Sequence, residues 1–188
     1  DFIQTYDNKN VGASKTLTPS GIVNDGNEGN NYSYTFVEDT TGEVTPASLT
    51  ITADDQSKTY GTANPVLTAS YDGFVEGEDE NVLDTPASLS TLVNETSSVD
   101  AYEITVSGAT DANYAISFVS GTLTVTPASL TITADAKNKT YGNPDPELTY
   151  QITSGSLVNG DALSGSLSRV AGENVGTYAI TQGDLENS

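Results

Sequence analysis

Apolar and polar residues alternate in several short stretches of the chain. The clearest are Leu49–Ala53, Tyr102–Val106 and Thr122–Thr126, where apolar side chains occupy every second position. Period-two alternation with many β-branched residues is typical of strands that bury one face. Val119–Thr122 joins two such stretches and predicts a tight hairpin.

Glycine and proline separate these stretches at short intervals, as they do in β-sandwiches and barrels. Helical patterning is confined to Glu76–Leu83 and Asn159–Leu163, each long enough for only a short helix. We therefore predict an all-β fold built from small tandem modules, with at most short helical turns. Immunoglobulin-like sandwiches are the preferred form of the module, and β-grasp-like modules are the alternative.

The chain contains an internal repeat. Thr45–Asp54 recurs without change as Thr126–Asp135, at an offset of 81 residues. The match continues through Lys58–Gly61 and Lys139–Gly142, and small insertions shift the register afterwards. Ten consecutive identical residues do not arise from composition alone, so the chain is a tandem array.

The repeat divides the sequence into three parts. Residues 1–44 match the back of the unit, 45–125 form a complete unit, and 126–188 match the front of a further unit. We expect the chain to begin and end inside a repeat, as an excerpt from a longer array does. The proline in Thr45–Ser48 favours extended geometry and suits a short, semi-rigid junction, although it also suits an edge strand within a module.

The charge of the chain is strongly negative, because 6 lysine and arginine residues stand against 26 aspartate and glutamate residues, a net −20. Neutralising nucleic-acid phosphates or docking on an anionic membrane needs a basic face, so the sequence argues against both partners. No stretch approaches the length of a transmembrane helix and no signal peptide is recognisable, so we expect no direct membrane insertion.

Absent residue types narrow the chemistry further. The sequence has no cysteine and no histidine, which removes disulfides, thiolate chemistry, imidazole bases and most zinc sites. Paired carboxylates suffice for glycoside hydrolysis. However, there is no tryptophan to stack on a sugar, and the tyrosines recur at equivalent strand positions as packing residues do. We therefore predict no enzymatic activity, no catalytic residue and no cofactor apart from calcium.

Acidic loops are the candidate calcium sites. The candidate ligands are Asp25, Asn27, Glu28, Asp54, Asp55 and Asp135. The first three lie in a glycine-rich loop and the last three follow the repeated strand. Calcium takes roughly six to eight oxygen ligands in irregular geometry, and it would relieve the self-repulsion of the chain. The spacing departs from the EF-hand pattern, and an Asn/Gly turn or a solvated strand end explains the same residues.

Four motifs together resemble a known family. They are the Lys-Thr-Tyr-Gly element, the Tyr71–Phe74 segment, the Asn-Tyr-x-Ile-Ser-Phe stretch at 113–118 and the Thr-Pro-Ala-Ser-Leu-Thr seam. The set resembles the MBG repeats of bacterial surface proteins, and the opening Tyr6–Gly12 is similar to the related YDG-type repeat. At the offset of 81 residues, Ile152–Ser154 replaces Tyr71–Gly73, so the second copy departs from the pattern.

The resemblance implies a place in very large, secreted adhesins or filaments of the bacterial cell surface, whose repeats are regarded as spacers. It brings no catalytic residue with it. It identifies residues 1–44 as the C-terminal part of a YDG/MBG-type repeat, 45–125 as a complete MBG-type repeat and 126–188 as the N-terminal part of a further MBG-type repeat.

Three functional hypotheses follow. The favoured one is an extender or stalk segment that holds a distal binding domain away from the cell, with negative charge keeping neighbouring fibres soluble. The alternative is a repeated glycan- or protein-binding module that acts by avidity. The partners of an extender are the neighbouring repeats of the same chain. Head-to-tail self-association is a third hypothesis, because residues 1–44 resemble the part that 127–188 lacks.

Overall fold

The computed structural model describes residues 2–187, and its regular secondary structure consists of short strands and one 3₁₀ turn within those residues. The strands are β1 (Ile3–Tyr6), β2 (Gly12–Ser20), β3 (Asp39–Val44), β4 (Ala47–Ala53), β5 (Gln56–Thr59), β6 (Ala69–Asp72), β7 (Ser88–Ser90), β8 (Ala101–Ser107), β9 (Tyr114–Val119), β10 (Gly121–Thr126), β11 (Thr131–Ala134), β12 (Tyr150–Ser154), β13 (Leu163–Ser164), β14 (Ser168–Arg169), β15 (Ile180–Thr181) and β16 (Glu186–Asn187). The all-β prediction is confirmed, whereas the choice between sandwich and β-grasp modules stays a prediction.

The helical content matches the expectation of short turns. Glu80–Val82 forms a 3₁₀ turn, and the Asp79 carboxylate caps it by accepting a hydrogen bond from the Asn81 amide at 3.0 Å. The second predicted stretch, Asn159–Leu163, forms a turn that leads into β13. Within residues 2–187 no helix has the length and hydrophobicity needed to cross a bilayer.

The chain divides into two compact units, each assembled from separate stretches of sequence. The first unit consists of residues 1–54, 67–90 and 104–121, and the second consists of 55–66, 91–103 and 122–188. This division follows spatial packing, and the repeat limits derived from the sequence stay a prediction.

In the first unit, β4 is the central strand of a three-stranded sheet. It pairs antiparallel with β6 and parallel with β9. Its apolar positions Leu49, Ile51 and Ala53 are buried, which the alternation of the sequence predicts. A second sheet places β2 between β1 and β3, with both pairs antiparallel. β7 pairs antiparallel with β8, where Ile104 and Val106 are buried.

In the second unit, β5 runs parallel to β10, whose Leu123 and Val125 are fully buried. β11 pairs antiparallel with β12. Two further pairs, β13 with β16 and β14 with β15, are only two residues long. Leu185, just before β16, is buried and contributes to the core of this unit.

The predicted hairpin at Val119–Thr122 is wrong. β9 pairs with β4 and β10 pairs with β5, so the two strands flanking Ser120 have different partners. Gly121, the first residue of β10, lies so close to β4 that an added Cβ would be only 2.3 Å from the Ala53 carbonyl oxygen. The alternation therefore identifies both strands correctly but does not identify what each strand pairs with.

Both copies of the repeat keep one close contact between a glycine and the seam. A Cβ on Gly73 would lie 2.2 Å from the Ser48 carbonyl oxygen, and a Cβ on Gly155 would lie 2.2 Å from that of Ser129. Ser48 and Ser129 occupy the same position of the repeated seam. Gly155 is therefore the structural counterpart of Gly73.

The equivalence of Gly73 and Gly155 departs by one residue from the offset of 81 residues that relates the start of the two copies. β4 and β6 pair without interruption, but the register of β11 and β12 shifts between Thr131 and Ile132, where β12 contains one extra residue. The extra residue displaces the glycine by one position. The prediction that Ile152–Ser154 replaces Tyr71–Gly73 is therefore wrong for the glycine, which the second copy retains.

Candidate functional site: the contacts between successive repeats

Residues of the opening segment contact the turn and strand ends of the complete repeat within the first unit; we call this contact the first joint. Lys9 forms an ion pair with the Glu78 carboxylate, which also accepts a hydrogen bond from the Tyr114 hydroxyl at 2.6 Å. The Val11 amide donates to the Asn113 side chain at 2.9 Å. The first joint therefore combines one ion pair with one hydrogen bond from a backbone amide to a side chain.

Asn113 connects both sides of the first joint. Its side chain accepts from Val11, while its backbone carbonyl accepts from the Ala47 amide at 2.9 Å. Only Thr45 and Pro46 separate β3 from β4 at this point. A two-residue connection that is followed at once by the hydrogen-bonded Ala47 leaves the chain little freedom there.

The electrostatics of the first joint favour the charged forms of both partners. Hydrogen bonds from Lys9 and Tyr114 lower the pKa of Glu78, and the Glu78 carboxylate raises the pKa of Lys9. Burial and the neighbouring carboxylate raise the pKa of Tyr114. The Glu78 side chain is only 17% exposed, whereas that of Lys9 is 78% exposed, so the pair is partly screened by water.

The second joint lies within the second unit, where residues of the complete repeat contact the turn at Val158–Asp161. The Tyr60 hydroxyl donates to Asp161 at 3.3 Å, and the Asn159 side chain donates to the Glu95 carbonyl at 3.0 Å. Gly61 lies against Val158, whose Cγ2 would be 2.5 Å from an added Cβ. This contact requires a residue without a side chain at position 61.

The two joints use the same element of the repeat. The Glu78 amide bonds to the Val75 carbonyl at 3.0 Å, and the Asp161 amide bonds to the Val158 carbonyl at 2.9 Å. In each turn the residue before the acid is a glycine with φ of +85°. Glu78 and Asp161 are therefore equivalent, and each contacts residues of the part of the chain that precedes its own repeat.

The comparison with known families agrees with this repeating geometry. The sequence profile of the MBG domain (YGX type) matches residues 49–124 and 130–188, which together make up more than half of the chain. The chain belongs to the MBG domain family. The resemblance seen in the sequence is thereby confirmed for the MBG repeats, while the YDG-type character of residues 1–44 stays a prediction. Comparisons with curated proteins and with solved structures gave no significant match.

Each matched MBG segment contains one Tyr-Gly turn. In the first, the Thr62 amide bonds to the Thr59 carbonyl at 3.1 Å, and in the second the Asn143 amide bonds to the Thr140 carbonyl at 3.0 Å. The glycines of the two turns have φ of +82° and +87°. MBG domains are structural repeat modules, and the Tyr-Gly turn of the first segment supplies Tyr60 and Gly61 to the second joint.

The lysine before this turn has different partners in the two MBG repeats. Lys58 is 7% exposed and donates to three uncharged oxygens, at 2.8 Å to the Thr62 carbonyl, 3.0 Å to Asn64 and 2.6 Å to the Asn94 carbonyl. These bonds fix the turn against the loop at Asn94.

Its counterpart Lys139 instead binds two carboxylates, Asp145 at 2.6 Å and Glu173 at 2.7 Å. Arg169 binds the Asp145 carboxylate through Nε and Nη2, and its Nη2 also forms an ion pair with Glu173. Hydrogen bonds from Arg169 and Lys139 lower the pKa of Asp145 to about 2. No sequence motif marks this cluster, because its members are scattered through the second repeat.

The loop with Asp25, Asn27 and Glu28 is organised by its own hydrogen bonds. The Asp25 carboxylate accepts from the amides of Asn27, Gly29 and Asn31 at 2.8, 2.9 and 3.0 Å. These bonds lower the pKa of Asp25. Glu28 adopts φ of +54°, as the tight turn requires. The carboxylate of Asp25 thus serves the turn that the sequence offered as the alternative explanation.

The other three candidate ligands lie at strand ends. Asp54 accepts from the hydroxyls of Thr68 and Ser70, Asp55 accepts from the Thr122 amide at 2.7 Å, and Asp135 accepts from the Thr149 hydroxyl at 2.6 Å. Asp54 and Asp135 are repeat equivalents with equivalent threonine partners. Across residues 2–187, no three acidic side chains form a group suited to hold a metal ion. Calcium binding by these residues stays a prediction.

Proposed function

We propose that the chain is a structural extender, a segment of a stalk that separates a distal binding domain from the bacterial surface. The observation that supports this most strongly is the equivalence of Glu78 and Asp161, which contact the preceding repeat at two successive joints. A surface that every copy uses to hold its neighbour is what a serial array requires.

The nature of the joints suits such a role. Each joint joins a turn of one repeat to the preceding repeat through hydrogen bonds and, in the first joint, an ion pair. The connection between β3 and β4 is too short to act as a flexible linker. The net charge of −20 favours solubility and keeps parallel fibres apart. We infer an extracellular location on this basis and from the family.

The same reasoning supports a non-catalytic role whose partners are the neighbouring repeats. The charge argues against nucleic acid and against anionic membranes. The competing function, a repeated module that binds a glycan or protein by avidity, needs the same side chains on the same face of every copy. Lys58 and Lys139 occupy equivalent positions but have uncharged partners in one repeat and carboxylates in the other. This difference favours the extender.

Small-angle X-ray scattering of the chain and of a joint variant tests the proposal. The variant carries Glu78→Ala and Asp161→Ala, which remove the equivalent acid from both joints. The control carries Glu76→Ala and Glu147→Ala, which remove the same charge from exposed positions. We expect the distance distribution of the joint variant to broaden and that of the control to match the unmodified chain. Identical profiles for all three proteins contradict the proposal.

A further inference from the structure

The sequence contains three Asn-x-Ser/Thr sequons, which begin at Asn31, Asn94 and Asn138. Such a sequon is the acceptor sequence for N-linked glycosylation, in which a sugar is attached to the Nδ2 atom of the asparagine. Asn94 is the one that belongs to the complete repeat, 45–125. It lies in the loop between β7 and β8.

The side chain of Asn94 is held in one orientation by its own sequon. Its Oδ1 accepts hydrogen bonds from the Thr96 amide at 2.9 Å and from the Thr96 hydroxyl at 2.8 Å. The side chain is exposed, and its Nδ2 has no acceptor within residues 2–187. The atom that receives the sugar is therefore accessible, while the other end of the amide is fixed by the threonine that defines the sequon.

The loop that carries Asn94 is anchored through its backbone carbonyl groups. The buried Lys58 donates to the Asn94 carbonyl at 2.6 Å. Val93 is also buried, and its carbonyl accepts from the Asn64 side chain at 2.6 Å. Because neither bond involves Nδ2 of Asn94, a sugar attached there leaves the anchoring of the loop intact.

An open groove of about 520 Å³ lies beside Asn94. It is lined by Ala63, Asn64, Val93, Asn94, Glu95 and Thr96. This volume falls within the range of small-molecule sites in proteins. Most of the lining side chains are polar, and they can form hydrogen bonds with the hydroxyl groups of a sugar. The loop therefore offers space for the first sugar next to the acceptor atom.

We propose that Asn94 is an acceptor for N-linked glycosylation, which takes a hexose from a nucleoside-diphosphate donor. Nδ2 of Asn94 bonds to C1 of the hexose, and the bond between C1 and the diphosphate oxygen breaks. The diphosphate leaves with the bonding electrons, and a glycosyltransferase supplies the base that takes one amide proton. The modification goes beyond the extender role and does not depend on it, because a stalk without sugar still serves as a spacer.

Incubation of the folded chain with UDP-glucose and a purified asparagine glycosyltransferase tests the proposal. Peptide mapping by mass spectrometry then locates the hexose, which we expect on Asn94. Asn174 is the internal control, because it is also exposed but is followed two positions later by Gly176 instead of a hydroxyl residue. A hexose that is absent from Asn94, or that is found equally on Asn174, overturns the proposal.

Three variants test the role of the sequon. We expect Asn94→Gln to abolish the modification of this loop, Thr96→Ser to keep it, and Thr96→Val to lose most of it because the hydroxyl is removed. Thr96 is exposed, so these changes leave the fold intact, which thermal unfolding checks. Equal modification of the Thr96→Ser and Thr96→Val chains contradicts the proposal.

A synthetic peptide of residues 88–100 isolates the contribution of the fold, since it carries the same sequon without the anchoring bonds. We expect the folded chain to accept the hexose at Asn94 at least as fast as the peptide does. A folded chain that reacts much more slowly than the peptide shows that the loop is hidden from the transferase and overturns the proposal.

Discussion

Glu78 and Lys9 form an ion pair although they are 69 residues apart in the chain. The glutamate ends a turn of the complete MBG repeat, and the lysine belongs to the segment before that repeat. Asp161 ends the equivalent turn one repeat later and accepts a hydrogen bond from Tyr60 of the preceding repeat. In both MBG repeats, the acid that ends this turn therefore contacts the part of the chain that precedes the repeat.

The first prediction concerns Glu78→Gln. The folded state lowers the pKa of Glu78 below its ordinary value of 4.5, so the stabilisation is fully present above that value. It is lost as the pH falls through the lowered folded-state pKa. We expect the variant to melt a few degrees below the unmodified chain at pH 7 and the difference to shrink at acidic pH.

Thermal unfolding at a series of pH values measures this effect. Glu76→Gln is the matched control, because Glu76 is an exposed acid in the same turn. A melting difference for Glu78→Gln that stays constant down to strongly acidic pH contradicts an electrostatic joint.

The second prediction compares equivalent leucines of the two repeats. Leu49→Ala should cost about 2–5 kcal/mol of unfolding free energy, as large-to-small changes in buried cores do. Leu130→Ala should cost clearly less in the dilute monomer, because Leu130 is only half-buried. Urea unfolding of both variants checks the difference. Equal losses would show that both repeats have equally covered cores.

The third prediction uses the two Tyr-Gly turns. Gly61 and Gly142 both have positive φ, so replacement by alanine costs roughly 1–2 kcal/mol of backbone strain at either site. Only Gly61 also lies against Val158, whereas a Cβ on Gly142 meets nothing within 4 Å. Gly61→Ala should therefore destabilise the chain more than Gly142→Ala.

Urea unfolding of the two glycine variants isolates the contribution of the second joint. The combination of Gly61→Ala with Val158→Ala should recover part of the loss, because it removes the clashing methyl groups. Equal effects of the two glycine changes would mean that the contact with Val158 is not formed in solution.

The fourth prediction concerns calcium. Binding by Asp25, Asn27 and Glu28, or by the strand-end acids, must raise the melting temperature in millimolar calcium relative to EDTA, since a ligand confined to the folded state stabilises it. Asp25→Asn should abolish a rise that originates in the first loop. An unchanged melting temperature contradicts the calcium sites and leaves the acids as turn caps and solubilising charges.

Much of the strand content could be predicted from the sequence, because alternation at Leu49–Ala53 and Thr122–Thr126 depends only on which face is buried. The partner of each strand could not. β9 and β10 follow one another closely and suggest a hairpin, yet each finds a parallel partner about seventy residues earlier. Local patterning carries no information about such distant pairing.

The site was predictable only in part. The sequence shows that Val75–Gly77 and Val158–Gly160 correspond, and the acid that follows each of them was available as a signal. The pattern instead predicts a short helix over Glu76–Leu83, whereas the structure places Glu78 at the end of a turn and confines the helical turn to Glu80–Val82. The cluster of Lys139, Asp145 and Arg169 depends on contacts across the second repeat, which no spacing in the sequence reveals.

The extender proposal is tested most directly by the dimensions of longer arrays. Chains with one to four tandem copies of residues 45–125 can be compared by small-angle X-ray scattering under conditions in which each is monomeric. If the contacts at each joint hold successive repeats in place, every added copy increases the maximum dimension by the same amount. An increase that follows roughly the square root of the copy number, as in a flexible chain, would contradict the account.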